Sequence, residues 1–198
     1  DYHQLAARGL DDVAGLGGTS TSTRLFERLI RLGVETVVLC LDNDDAGRAA
    51  TARAVEHAVR ARSSPAIYVV DSDSAGAKDP DALVRSEGID AWRELIAQRE
   101  CGIVWRAKEM VGAIAPDAPL AQRREALRRT GAWLGTLPPR LALEQEDAVR
   151  VAAEWCGYST QAVQRAFRAR FFRDVISIGE HPRARESLER RMESAVEF

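Results

Sequence analysis

The chain has 198 residues, enough for one domain with a sizeable core or a small domain with an appendage. Its 28 basic and 30 acidic residues leave a net charge of −2, so there is no general electrostatic pull toward nucleic acid or membrane, and any polyanion site must be local. No apolar run approaches the ~20 residues of a membrane span, and a protein without a signal peptide is expected. The expected location is therefore the cytoplasm, with no membrane partner.

Taken in chain order, Tyr2, Leu5 and Ala6 outline a short amphipathic helix that Gly9 closes. A brief strand is expected over Asp12 to Leu16, leading into Gly17, Gly18, Thr19 and Ser20. Glycines and hydroxyls ahead of a helix either expose backbone donors to a phosphate or form a turn whose hydroxyl caps the helix. Leu25, Leu29 and Leu32 then place a helix from about Thr21 to Leu32, ended by Gly33. Val37 to Leu41 is an unbroken apolar run with β-branched residues, as expected of a parallel strand buried on both faces.

The run ends in Asp42, Asn43, Asp44 and Asp45, and an alanine-rich helix, Ala46 to Arg62, follows at once. Asp42 and Asp44 lie two residues apart, on one side of an extended backbone. Asp45 is placed to cap the helix, whose N-terminal end favours negative charge and can donate to an anion. Ligands of open α/β sheets bind at the carboxyl ends of the strands. Two carboxylates held there repel unless a cation lies between them, and oxygen ligands select hard ions such as Mg²⁺. Two readings stay open for this junction: a metal site, or a capped helix with solvated acids.

A second apolar run, Ala66 to Val70, is the next strand, followed by the polar DSDSAGAKDPDALVRSEG and a helix from Ala82 to Glu87. Helix and strand alternate, implying a parallel sheet with right-handed crossovers and all strand ends on one edge. Beyond Gly88 the pattern is helical. Ile89 to about Ala115 is expected as helix broken near Gly102, with Pro116 and Pro119 as a linker. Helices follow at Leu120 to Leu134, Leu143 to Cys156 and Thr160 to Phe172, the last capped by Ser159. Arg123, Arg124, Arg128 and Arg129, and then Arg165, Arg168, Arg170 and Arg173, form basic stripes that suit either phosphates or a solvated face. Trp133 and Trp155 are expected in the core. Leu188, Met192 and Val196 give the tail a weak apolar stripe, and His3, His57 and His181 have no spacing for a metal or dyad. Cys40, Cys101 and Cys156 are odd in number and widely spaced, which favours reduced thiols over disulfides or zinc ligands.

The ordered series LGG-TS, LDNDDAG and KDPDALVRSEG resembles the TOPRIM domain of bacterial-type, DnaG-like DNA primases. The resemblance implies an α/β fold, with a TOPRIM-like parallel sheet flanked by helices and followed by an all-α subdomain. It divides the chain into residues 1–88 as the C-terminal part of a TOPRIM catalytic domain, 89–175 as a helical subdomain and 176–198 as a helical tail. It further implies phosphoryl transfer: extension of an RNA primer on single-stranded DNA template from nucleoside triphosphates, with a replicative helicase as partner. Mg²⁺ or Mn²⁺ would be held by Asp42, Asp44 and Asp79 as the catalytic acids, with Asp81 and Asp1 as further ligands. Asp81 can instead cap the helix that follows it. Lys78, Gly17, Gly18, Thr19 and Arg48 would meet phosphate or nucleic acid. The family's Glu-Gly is absent; by the pattern it lies upstream of Asp1, and the opening DYHQLAARG, without an initiator Met, suggests a piece of a longer protein. The alternatives are a TOPRIM nuclease or topoisomerase-like enzyme that cleaves DNA, and a non-catalytic scaffold of a replication complex.

Overall fold

The computed structural model describes residues 2–168 apart from 11, 17–19, 43 and 71–79. Among these residues, β1 (Thr36–Leu39), β2 (Ala66–Val69) and β3 (Glu100–Cys101) form a mixed sheet in the order β1-β2-β3. β1 and β2 are parallel, Thr36 opposite Ala66 and Leu39 opposite Val69, whereas β3 runs antiparallel with Tyr68 opposite Cys101. The expected α/β fold with a parallel pair of strands flanked by helices is thus present, and what the expectation lacked is a two-residue antiparallel strand inside a stretch expected to be helical. β-Pairing there leaves the helix of that stretch to start at Gly102.

Alternation along each strand feeds two cores, since successive side chains of a strand point to opposite faces. Val37, Leu39, Leu41, Ile67 and Val69 join the larger cluster, while Val38, Cys40 and Val70 join the smaller one on the other face. This accounts for the unalternating apolar runs of the sequence: both faces are covered.

The smaller cluster is closed by α1 (Tyr2–Ala6) and α4 (Pro80–Ala97), which supply Leu5, Leu83, Val84, Trp92 and Leu95. α4 is bent at Gly88, whose φ of 87° lies in the left-handed region that glycine enters without a Cβ penalty. Residues 12–16 lie in this part of the fold and form no strand: Val13 is half-buried while Ala14, Gly15 and Leu16 are exposed, leaving too little apolar pairing surface.

The larger cluster gathers α2 (Thr23–Arg31), α3 (Asp45–Arg60), α5 (Gly102–Gly112), α6 (Leu120–Leu134) and α7 (Ala142–Trp155) against the sheet. α5 is central, touching α3, β2, α6 and α7. α3 buries Gly47, Ala50, Thr51, Ala54, Val55, Ala58 and Val59, a stripe of small residues at helical spacing that allows close approach to its neighbours. α7 does the same with Ala148, Val149, Ala152 and Ala153. Large side chains fill the gaps between them: Phe26 is 1% exposed and Leu134 is 1% exposed, each worth about 1.5–3 kcal/mol of burial.

One core therefore runs from Phe26 through Val163, across the change in composition at Gly88. Ser159 accepts from the Ala162 N–H at 3.3 Å and opens a final helix over 160–168. Trp133 packs on the core, whereas Trp155 is 39% exposed and donates its indole N–H to the Ile114 carbonyl, so the expectation of a core residue fails for Trp155. Cys156 is buried, and that burial pushes its thiol pKa up. No helix among the described residues is long and apolar enough to cross a membrane. Arg170, Arg173, His181 and the tail stripe fall outside the described residues.

Candidate functional site

β1 leaves the sheet after Leu39, and the chain needs only a short turn before α3 begins at Asp45. Asp42 and Asp44 are both exposed in this turn, at the carboxyl end of the strand. Asp44, at φ −114° and ψ 173°, is the helix cap: its Oδ1 accepts the Gly47 N–H at 2.7 Å, and its carbonyl accepts from Arg48 N at 2.9 Å. The cap expected of Asp45 is corrected here. Asp45 is already the first helical residue, and only the extended residue before it can fold its carboxylate back over the helix end. Such a cap stabilises a helix by about 1 kcal/mol.

Capping and metal binding are compatible. One oxygen of Asp44 is used by the helix, while its other oxygen and the Asp42 carboxylate make no ion pair among the described residues. The donor set is oxygen only and open to solvent, which fits a Mg²⁺ ion held by one or two carboxylates with water completing its shell. Among the described residues, no group of three or more His, Cys, Asp or Glu side chains is placed to hold an ion. Asp79, the expected third acid, lies outside the described residues, as do Asp1, Lys78, Gly17, Gly18 and Thr19.

Asp81 sits in the first turn of α4 and is only 5% exposed. Its Oδ2 pairs with Arg85 one turn on, while its Oδ1 is buried without a hydrogen-bond partner among the described residues. Among those residues no backbone N–H reaches that Oδ1, so it shows no capping contact there. A buried carboxylate with one oxygen unsatisfied is costly, and an ion or water is the usual partner for such an atom.

Arg48 lies in the second turn of α3 and forms an ion pair with Glu109 of α5. Part of its charge is thus spent on joining the two helices. Of the arginine stripe on α6, Arg123 donates to the Cys156 carbonyl at 2.9 Å and stacks over Tyr158, and Arg128 pairs with Glu125. Arg124, Arg129, Arg165 and Arg168 are exposed. His57 bonds Thr21 through Nδ1 at 2.9 Å, a structural contact between α3 and the segment before α2.

Sequence reasoning missed Gly47. An ideal Cβ there would lie 1.9 Å from the Asp42 carbonyl oxygen, so the backbone of Asp42 rests directly on the first turn of α3. The available signal was a glycine within the alanine-rich run AGRAATARA, where helix propensity alone favours alanine by about 1 kcal/mol.

Residues 2–84 match the family model described as Toprim-like. The chain is similar to the DNA primase of Pseudomonas aeruginosa, 38% identical over 103 residues that cover 50% of this chain and 15% of that protein. Among solved structures it is similar to a DNA primase domain from Pseudomonas aeruginosa, with a TM-score of 0.62, 27% identity, and coverage of 84% of this chain and 51% of that one. The RNA polymerase domain of Mycobacterium tuberculosis primase DnaG, solved with a double-stranded DNA oligomer bearing an overhang, shares the fold at a TM-score of 0.55. It is 24% identical, with coverage of 80% of this chain and 49% of that one. The chain thus spans a small fraction of the curated primase and about half of the solved domains.

Proposed function

We propose that this chain, whose residues 2–84 match the Toprim-like family model and which is similar to bacterial DNA primases, is part of a primase catalytic core acting in DNA replication. The reaction is nucleotidyl transfer: ribonucleoside triphosphates are joined into a primer on a single-stranded DNA template. The single observation that carries the reading is the exposed Asp42 and Asp44 pair where β1 runs into the capped first turn of α3. The likeness to the Pseudomonas primase domain extends over 84% of the chain, well past the Toprim-like segment. That extent supports a primase over a TOPRIM nuclease or a topoisomerase.

Asp42 and Asp44, with Asp79 as a third acid, would hold Mg²⁺ or Mn²⁺, which supplies charge neutralisation at the transferring phosphoryl group. The residues of this chain provide placement. Asp44 is held by the Gly47 N–H, and Asp42 by its contact with Gly47. Asp81, buried in the first turn of α4, is proposed as an outer acid on the strength of its unpartnered Oδ1. Asp1, Lys78, Gly17, Gly18, Thr19 and Arg48 are proposed contacts of the metal, phosphates or nucleic acid. The proposed surroundings are cytoplasmic, with a replicative helicase as partner. Residues 1–88, 89–175 and 176–198 are proposed as the catalytic, helical and tail parts.

The test is Mn²⁺ binding and primer synthesis by the chain on single-stranded DNA. The expected result is weak Mn²⁺ binding that Asp42→Ala removes, with little primer made by this chain alone. Primer synthesis that Asp42→Ala leaves unaffected would overturn the site assignment.

A further inference from the structure

We propose that Gly47 is a positioning residue which sets the placement of the Asp42 and Asp44 carboxylates for a divalent cation. The proposal rests on the metal reading of these two acids and adds the element that arranges them.

Two independent contacts converge on this one residue. Its N–H is bound by Asp44 Oδ1 at 2.7 Å, which fixes the direction of the Asp44 side chain. Its bare Cα carries the Asp42 backbone: a Cβ would stand 1.9 Å from the Asp42 oxygen, 2.9 Å from its carbonyl carbon and 3.2 Å from its nitrogen. All three atoms belong to main chain, so no side-chain rotation can make room. Gly47 is itself tied into α3, because its carbonyl accepts the Thr51 hydroxyl at 2.9 Å and both residues are buried. The acid-bearing turn is therefore registered against a rigid helix at a single point.

A methyl group at position 47 must push the Asp42 carbonyl outward by about 1.5 Å, from 1.9 to 3.4 Å, to reach an ordinary contact. Metal–ligand distances tolerate only roughly 0.2 Å. The helix itself is indifferent, since alanine is the better helix former and the neighbouring positions are already alanine. Gly47→Ala should therefore act on ion binding while the helix survives. Supporting residues of metal ligands typically change affinity by about 10–100-fold when altered.

The experiment is calorimetric titration of the whole chain with Mn²⁺, for wild type, Gly47→Ala and Asp42→Ala, beside metal-free urea unfolding of each. The expected result is that Gly47→Ala weakens Mn²⁺ binding at least about tenfold, approaching Asp42→Ala, with helix content retained. Wild-type affinity in Gly47→Ala, with loss in Asp42→Ala, overturns the positioning role and leaves the metal reading standing. Absence of Mn²⁺ binding by wild type overturns both. Should Gly47→Ala not fold, Asp44→Ser and Asp44→Ala decide the matter. Both lack the carboxylate, and only serine keeps an acceptor for the Gly47 N–H. Higher residual Mn²⁺ affinity in Asp44→Ser supports the proposal; equal affinity in the two overturns it.

Discussion

The two ends of α3 are built in opposite ways. The first turn is organised by its own immediate neighbours: Asp44 caps it, and Asp42 lies on Gly47, a few residues away in sequence. The last turn is held from far along the chain. Arg140, in the short turn Pro139–Leu141, donates to the carbonyls of Val59 at 3.3 Å and Ala61 at 2.8 Å, and Phe26 of α2 lies in the core cluster with Val55, Ala58 and Val59. The local end exposes its acids to solvent, and the anchored end buries alanines and valines. The proposed chemistry would thereby be confined to a turn held by local contacts, away from the end of α3 that is anchored in the core.

That contrast can be broken or sharpened by substitution. Phe26→Ala is the largest expected change, because its side chain is 1% exposed; it should lower the unfolding free energy by about 3–5 kcal/mol in urea. Mn²⁺ affinity of the folded fraction should not move, and a parallel loss would erase the distinction between the two ends. Arg140→Ala should cost about 1–2 kcal/mol by the same measurement, since two carbonyls at the end of α3 lose a charged donor. At the local end, Asp44→Ala should cost about 1 kcal/mol through the lost cap while Asp44→Asn, whose side chain still accepts the Gly47 N–H, should be nearly neutral. Equal destabilisation by both would show that the carboxylate charge, rather than the cap, matters to folding. The smallest effect is expected for the pair joining α3 to α5: a double-mutant cycle on Arg48 and Glu109 should give about 0.5 kcal/mol at low salt, shrinking as salt is raised. A coupling well above 1 kcal/mol would make that pair part of the core's stability.

Helix positions were legible wherever the apolar spacing was regular. Leu120–Leu134 matches its expected bounds, and α3 and α7 differ from theirs only at the ends. The two buried strands were legible because both faces are covered, which removes alternation from the sequence. β3 was not, because two residues, Glu100 and Cys101, carry no periodic signal and their pairing is set by Tyr68 and Val69 from a distant strand. The supposed strand at 12–16 failed for the converse reason: a short apolar run finds no partner.

The placement of Asp42 and Asp44 at the end of β1 was legible from the strand pattern, and the metal role given to them is the proposal above; the assignment of the cap to Asp45 was off by one residue. Capping depends on which residue leaves the extended conformation last, and sequence alone does not specify that φ and ψ. Gly47 was marked only by being a glycine in an alanine-rich run, because the close approach of the Asp42 backbone that it permits leaves no other trace in the sequence.

The central claim is that the carboxylates at the end of β1 hold a divalent cation. Its most direct test is calorimetric titration of the intact chain with Mn²⁺, comparing wild type with Asp42→Ala and Asp44→Asn. The account predicts binding by wild type, loss of at least about tenfold in each variant, equivalent to about 1.4 kcal/mol, and metal-free unfolding midpoints close to wild type. Mn²⁺ binding of unchanged affinity in both variants would contradict it.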